Sequence, residues 1–218
     1  MMNALFISAS MFEAFAAFTI MLTIFRYNFK DYLKSLVPTS VFMSLMSYLI
    51  WIEFGLAKYA AIIFLFCFTL LIYHILGISL FGAAIVAITG NISSLTVQTA
   101  YIFLLQKLGI IEMIGIQNQD FDYFLMSTLS SVTLILLSQR LYRSGYGFTY
   151  SLDRFTWKFD NGKFKGENWL VLIVMVISAL FLATLQYFVG IFYLAGLAAL
   201  IIVYVLVHLS VKKELSND

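Results

Sequence analysis

From Ile78 to Gln106 the chain carries no Asp, Glu, Lys, Arg or His. As a helix this stretch is ~40 Å long, more than the ~30 Å of hydrocarbon in a bilayer. Six further apolar runs accompany it, at residues 4–25, 35–52, 59–76, 121–141, 169–188 and 191–209. Hydrophobic residues make up 62% of the sequence and charged ones 11%, against about 45–50% and about 25% in soluble domains. So much apolar surface cannot be hidden in a core, but lipid can cover it. The fold class predicted is an all-α, polytopic transmembrane bundle of seven helices, with residues 1–218 forming a single membrane domain. Gly77 and Ser79 mark the turn between the third and fourth runs, which otherwise nearly fuse. Pro38 falls in the first turn of the second run, where a missing N–H costs little.

Orientation follows from the basic residues, which concentrate on the cytoplasmic side of membrane proteins. With the N-terminus outside, the cytoplasmic segments hold Arg26, Lys30, Lys34, Arg140, Arg143, Arg154, Lys158, Lys163, Lys165, Lys212 and Lys213. The outer segments hold only Lys58 and Lys107. One missed helix would flip every later loop, so this bias supports both the span count and a cytoplasmic C-terminus. No cleavable signal peptide is expected. The opening MMNALFISASMFEAF lacks a basic n-region, carries Glu13 within its apolar stretch, and meets its first positive charge, Arg26, only afterwards. The expected location is a cell membrane, the bacterial cytoplasmic membrane.

An ionisable group within a span costs roughly 2.5–3.5 kcal/mol, which makes Glu13 a functional candidate by default. It lies ~13 Å from the start of its run. The fourth run supplies a polar stripe, Asn91, Ser94, Gln98 and Tyr101, at three- and four-residue steps and therefore on one helix face. Ser127, Ser130 and Ser131 of the fifth run, Ser47 of the second and Gln186 of the sixth fall in the same outer half. Groups of this kind avoid lipid. They predict an outward-opening polar pocket lined by Glu13, Asn91, Ser94, Gln98, Ser127 and Ser131. The competing reading is plain hydrogen-bonded helix packing. Gly90 within the stripe either kinks the helix to open such a pocket or lets helices approach beside Gly82, Ala83 and Ala87.

No enzymatic chemistry is expected. Cys67 and His74 share a face of the third helix, but in the reverse order to the His–Cys pair of a membrane peptidase that trims signalling propeptides. His74 also sits near the inner end, within reach of water. No HExxH, GxSxG or Cys/His cluster occurs, so no metal or cofactor is expected. The lone cysteine excludes an intramolecular disulfide. In the cytoplasmic loop 142–168, FTWKFDNGKFKGENW reads as a β-hairpin with an Asp160-Asn161-Gly162 turn. Its Arg154, Trp157, Lys158, Lys163 and Lys165 suit the anionic inner headgroups or a cytoplasmic partner. The bilayer is the partner expected, with a signalling or transporter subunit beside it and no nucleic acid.

The seven runs, the outside N-terminus, the opening FEAFAAFTIMLTIFRYNFKDYLK and a last helix running into VHLSVKKELSND resemble the membrane sensor region of peptide-quorum-sensing histidine kinases of the accessory-gene-regulator type. In that family the final span continues into a dimerisation helix and a GHKL-type ATPase domain. Here neither a phosphoacceptor His nor an ATP-binding box follows, so the resemblance implies a stand-alone, receptor-like protein. Two other classes compete with it. One is the substrate-binding membrane subunit of a small-solute importer, although the expected Ala-xxx-Ala of the first helix is missing. The other is a structural or immunity protein without a ligand.

Overall fold

In a computed structural model the described residues are 2–56, 59–112, 121–145 and 147. They form helices with no strand among them. The runs expected at 169–188 and 191–209, Gln186, and the basic segment with Arg154, Trp157, Lys158, Lys163 and Lys165 lie outside the described residues.

Five α-helices follow in order: α1 (Met2–Ile24), α2 (Leu33–Tyr48), α3 (Ala60–Leu76), α4 (Leu80–Lys107) and α5 (Phe121–Arg143). A 3-10 turn, Phe29–Tyr32, leads into α2, and a π-helical turn, Leu49–Glu53, ends it. Four segments, Leu5–Ile24, Phe29–Glu53, Gly82–Lys107 and Phe121–Arg143, are long and apolar enough to cross a membrane. α3, with 17 residues, stands at the lower end of the spanning range, about 17–25 residues.

Local chemistry sets the helix boundaries. α1 closes in a Schellman turn, with Tyr27 N–H on the Leu22 carbonyl at 3.0 Å and Arg26 N–H on the Thr23 carbonyl at 2.9 Å. Arg26 takes the left-handed position at φ 60°, where a glycine is usual. Gly77 ends α3 at φ 64°. Two residues later Ser79 caps α4, its Oγ accepting from Gly82 N–H at 3.1 Å. The two runs that nearly fuse are thus separate helices joined by a tight turn. Pro38 departs from expectation. Because α2 begins at Leu33, the proline falls inside the helix rather than in its first turn, and the Lys34 carbonyl loses its usual donor.

α1 is the hub of the bundle. Ser44 Oγ of α2 donates to the Ile7 carbonyl at 2.6 Å, while Leu36 joins Phe25 and Phe29 in one core cluster, so α2 runs antiparallel to α1. Phe18 meets Phe68 of α3 edge-to-face at 4.9 Å. Phe6 stacks on Tyr123 at 5.9 Å and Ser138 reaches Thr19 at 3.5 Å, which makes α5 parallel to α1. On α4, Gly90 lies against Met21 and Gln98 against Glu13, so that helix is antiparallel.

Polarity is sorted for lipid rather than water. The buried polar side chains are all Ser or Thr, twelve of them among the described residues. Half are satisfied within their own helix, as Ser40 Oγ is by the Leu36 carbonyl and Thr23 Oγ1 by the Thr19 carbonyl, each at 2.7 Å. Large apolar residues point outward instead, in stripes such as Ile62, Phe66, Leu70 and Tyr73 on α3. In water such stripes would be large exposed apolar patches; against acyl chains they cost nothing.

Candidate functional site

Glu13 occupies the midpoint of α1 (Met2–Ile24). It is flanked on its own helix by Ala9, Ala14, Ala16 and Ala17, all buried. Small neighbours let α4 and α5 come close, so side chains of both reach the carboxylate. Gln98 Nε2 of α4 donates to Oε1. From α5, the Tyr123 hydroxyl donates to Oε2 at 3.1 Å and Ser127 Oγ donates to the same oxygen at 3.2 Å. Three helices therefore converge on one acidic group, and all three donors are neutral. Glu13, Gln98 and Tyr123 stay partly exposed, whereas Ser127 is fully buried.

α4 presents a single stripe to α1: Ala83, Ala87, Gly90, Ser94 and Gln98. A Cβ on Gly90 would lie 2.0 Å from Met21 Cγ and 3.1 Å from Met21 Cα. Gly90 thus serves close packing, while α4 continues as one helix through it.

Of the residues expected to line a pocket, Glu13, Gln98 and Ser127 are brought into direct contact. Asn91 is not part of that contact: its Nδ2 donates at 2.8 Å to the Ala87 carbonyl one turn back. Tyr101, on the same stripe, pairs with Thr133 Oγ1 at 2.6 Å. Ser94 and Ser131 are buried, and their Oγ atoms have no hydrogen-bond partner. Ser47 is not among the partners of Glu13. Cys67 and His74 stand two turns apart on α3, ~10 Å of helix rise, further than a hydrogen bond spans.

Sequence reasoning missed Tyr123. It sits next to Asp122 at the start of the fifth run. The signal available was its spacing: Tyr123, Ser127 and Ser131 recur every four residues and so share one face.

A carboxylate offers about four acceptor positions. Gln98, Tyr123 and Ser127 take three, which leaves capacity for one more donor or a cation. Comparison with protein-family models, curated proteins and solved structures gave no match to this chain.

Proposed function

We propose that this chain is a non-enzymatic, multi-pass membrane protein that binds a small ligand or peptide from the outer side of the bilayer, in the manner of a sensor or receptor. Glu13 anchors the ligand's donor group, and Gln98, Tyr123 and Ser127 hold the carboxylate in place. The observation that carries this reading is the carboxylate itself. It stands at mid-height on the central helix, fixed by donors from two other helices, with an acceptor position unused.

The orientation belongs to the same reading. The N-terminus lies outside and Arg26, Lys30, Lys34, Arg140 and Arg143 lie in the cytoplasm, in keeping with the bias of basic residues. The site is then entered from the ends of α1, α4 and α5 that carry Phe6, Tyr101 and Tyr123.

Accessibility tests the proposal. Cysteines are introduced singly at Glu13, Gln98 and Tyr123 in a Cys67→Ala background, and intact cells are treated with a membrane-impermeant thiol reagent. Labelling at Gln98 and Glu13 is expected. Protection at all three positions in a correctly inserted protein would refute the reading and leave Glu13 as a packing group.

A further inference from the structure

Phe6, Ser10 and Glu13 follow at four- and three-residue steps on α1 and so share one face. A single side chain of α5 meets all three. The Tyr123 ring stacks on Phe6 at 5.9 Å, its hydroxyl donates to Glu13 Oε2 at 3.1 Å, and Ser10 stands beside that hydroxyl. Tyr123 therefore lies lengthwise along α1, over Ser10, between the first turns of that helix and the carboxylate. Ser10 is 6% exposed. Its Oγ is buried and has no hydrogen-bond partner, so it lies near the phenol but outside bonding geometry.

The three donors to Glu13 are not equivalent. Ser127 is short and fully buried. Gln98 belongs to the α4 stripe on which Gly90 meets Met21, and it is the donor to Oε1. Tyr123 shares Oε2 with Ser127, at 3.1 and 3.2 Å. Withdrawing the tyrosine thus leaves one donor on each oxygen, and the carboxylate stays in place. Tyr123 also belongs to the first turn of α5 (Phe121–Arg143), and terminal turns are where helices open most readily. An unpartnered buried hydroxyl destabilises the state that contains it. Ser10 therefore narrows the gap between the covered arrangement and one in which its Oγ finds a partner.

We infer that Tyr123 is a gate over the Glu13 site. Closed, as here, its hydroxyl occupies an acceptor position of Oε2 and its ring covers Ser10. Rotation about the side-chain bonds opens it and frees that position together with the Ser10 hydroxyl, one turn away on α1. A ligand entering from the Phe6 side meets both groups at once, and its binding selects the open arrangement. The inference rests on the binding role proposed for Glu13 and adds how access to the carboxylate is controlled.

The test uses the purified full chain in lipid nanodiscs, where both membrane faces are open to reagent and the result does not depend on orientation. Ser10→Cys is introduced in the Cys67→Ala background. Its rate of reaction with a charged, membrane-impermeant thiol reagent is compared with and without Tyr123→Phe, which keeps the ring on Phe6 and cuts the tether. Tyr123→Phe should raise the rate about 3–18-fold, the factor that corresponds to one hydrogen bond between membrane helices. Ser40→Cys, at a fully buried position on α2, is the control and should react equally slowly in both backgrounds. Unchanged reactivity of Ser10→Cys overturns the gate, because the tether then does not govern access. A parallel rise at Ser40→Cys overturns it too, since the substitution then loosens the whole bundle. If the gate fails while the Glu13 and Gln98 positions still label in intact cells, the outer binding reading stands without a gate, whereas absent labelling there removes the outer reading itself.

Discussion

Gly90 of α4 meets Met21 of α1 so closely that a Cβ added to the glycine would stand 2.0 Å from Met21 Cγ. Two helices at this separation bring Gln98, eight positions further along the α4 stripe, within reach of Glu13 on α1. The contact therefore positions the Glu13 site as well as packing the bundle. Gly90→Ala should destabilise the protein by about 1–3 kcal/mol, the usual cost of overpacking, and should weaken the Gln98–Glu13 contact. Unfolding in mild denaturing detergent measures the first effect. In a double-mutant cycle with Met21→Ala, the paired variant should lose less than the sum of the singles; strict additivity would contradict the close approach.

Tyr123 has no role in a purely sequence-based account, but its hydroxyl donates to Glu13 from α5. Tyr123→Phe keeps the ring, which stacks on Phe6, and removes only the hydroxyl. The expected cost is about 0.6–1.7 kcal/mol, the range found for hydrogen bonds between membrane helices. The same substitution in a Glu13→Ala background should be close to neutral. An equal cost in both backgrounds would mean that the hydroxyl acts on something other than the carboxylate.

Ser40 and Ser44 offer an internal comparison on α2. Both are buried and stand one turn apart. Ser44 Oγ bonds across to Ile7 of α1, whereas Ser40 Oγ returns to Leu36 of its own helix. Ser44→Ala should cost about 0.6–1.7 kcal/mol, and Ser40→Ala should change stability little, since its bond competes with the helix rather than joining two. Equal effects in the same unfolding assay would contradict the assignment of Ser44 as an interhelical tie.

Arg26 is the one non-glycine residue with positive φ among those described, at 60°, and its side chain is exposed. Left-handed geometry costs an L-residue roughly 1–2 kcal/mol. Arg26→Gly should therefore raise stability by up to about 1 kcal/mol, once glycine's larger loss of entropy on folding is included. Gly147 behaves in the opposite way. A Cβ there would lie 2.8 Å from the Ile24 carbonyl oxygen and 2.9 Å from Arg26 Cγ, so Gly147→Ala should destabilise the junction. Parallel melts of the two variants should move in opposite directions.

The proposed orientation predicts an asymmetric labelling pattern in the Cys67→Ala background. A cysteine at Ile110, between α4 and α5, should react with an impermeant reagent on intact cells. One at Ser144, just after α5, should react only after permeabilisation. The reverse pattern would overturn the orientation.

Membrane character and helix limits were readable along the chain because they depend on local properties. Length of apolar run, Gly77 at a left-handed cap and Ser79 at an N-cap act within a turn or two of themselves. Glu13 was conspicuous for the same reason: a charge in an apolar run is costly whichever helix lies opposite. Which hydroxyl bonds across and which bonds back could not be read in this way. Asn91 and Gln98 share a stripe and similar chemistry, yet Asn91 returns to the Ala87 carbonyl while Gln98 crosses to α1. The difference is depth along an antiparallel pair, since only Gln98 stands level with Glu13. Tyr123 became a partner through the parallel register of α5, and Ser94 was left without one where the register sets Ala17 of α1 opposite it. Apolar length and local caps were thus determined by the sequence alone. The meeting of three helices at one carboxylate was decided only in the tertiary structure, where relative register sets which polar atoms come within 3 Å or so of each other.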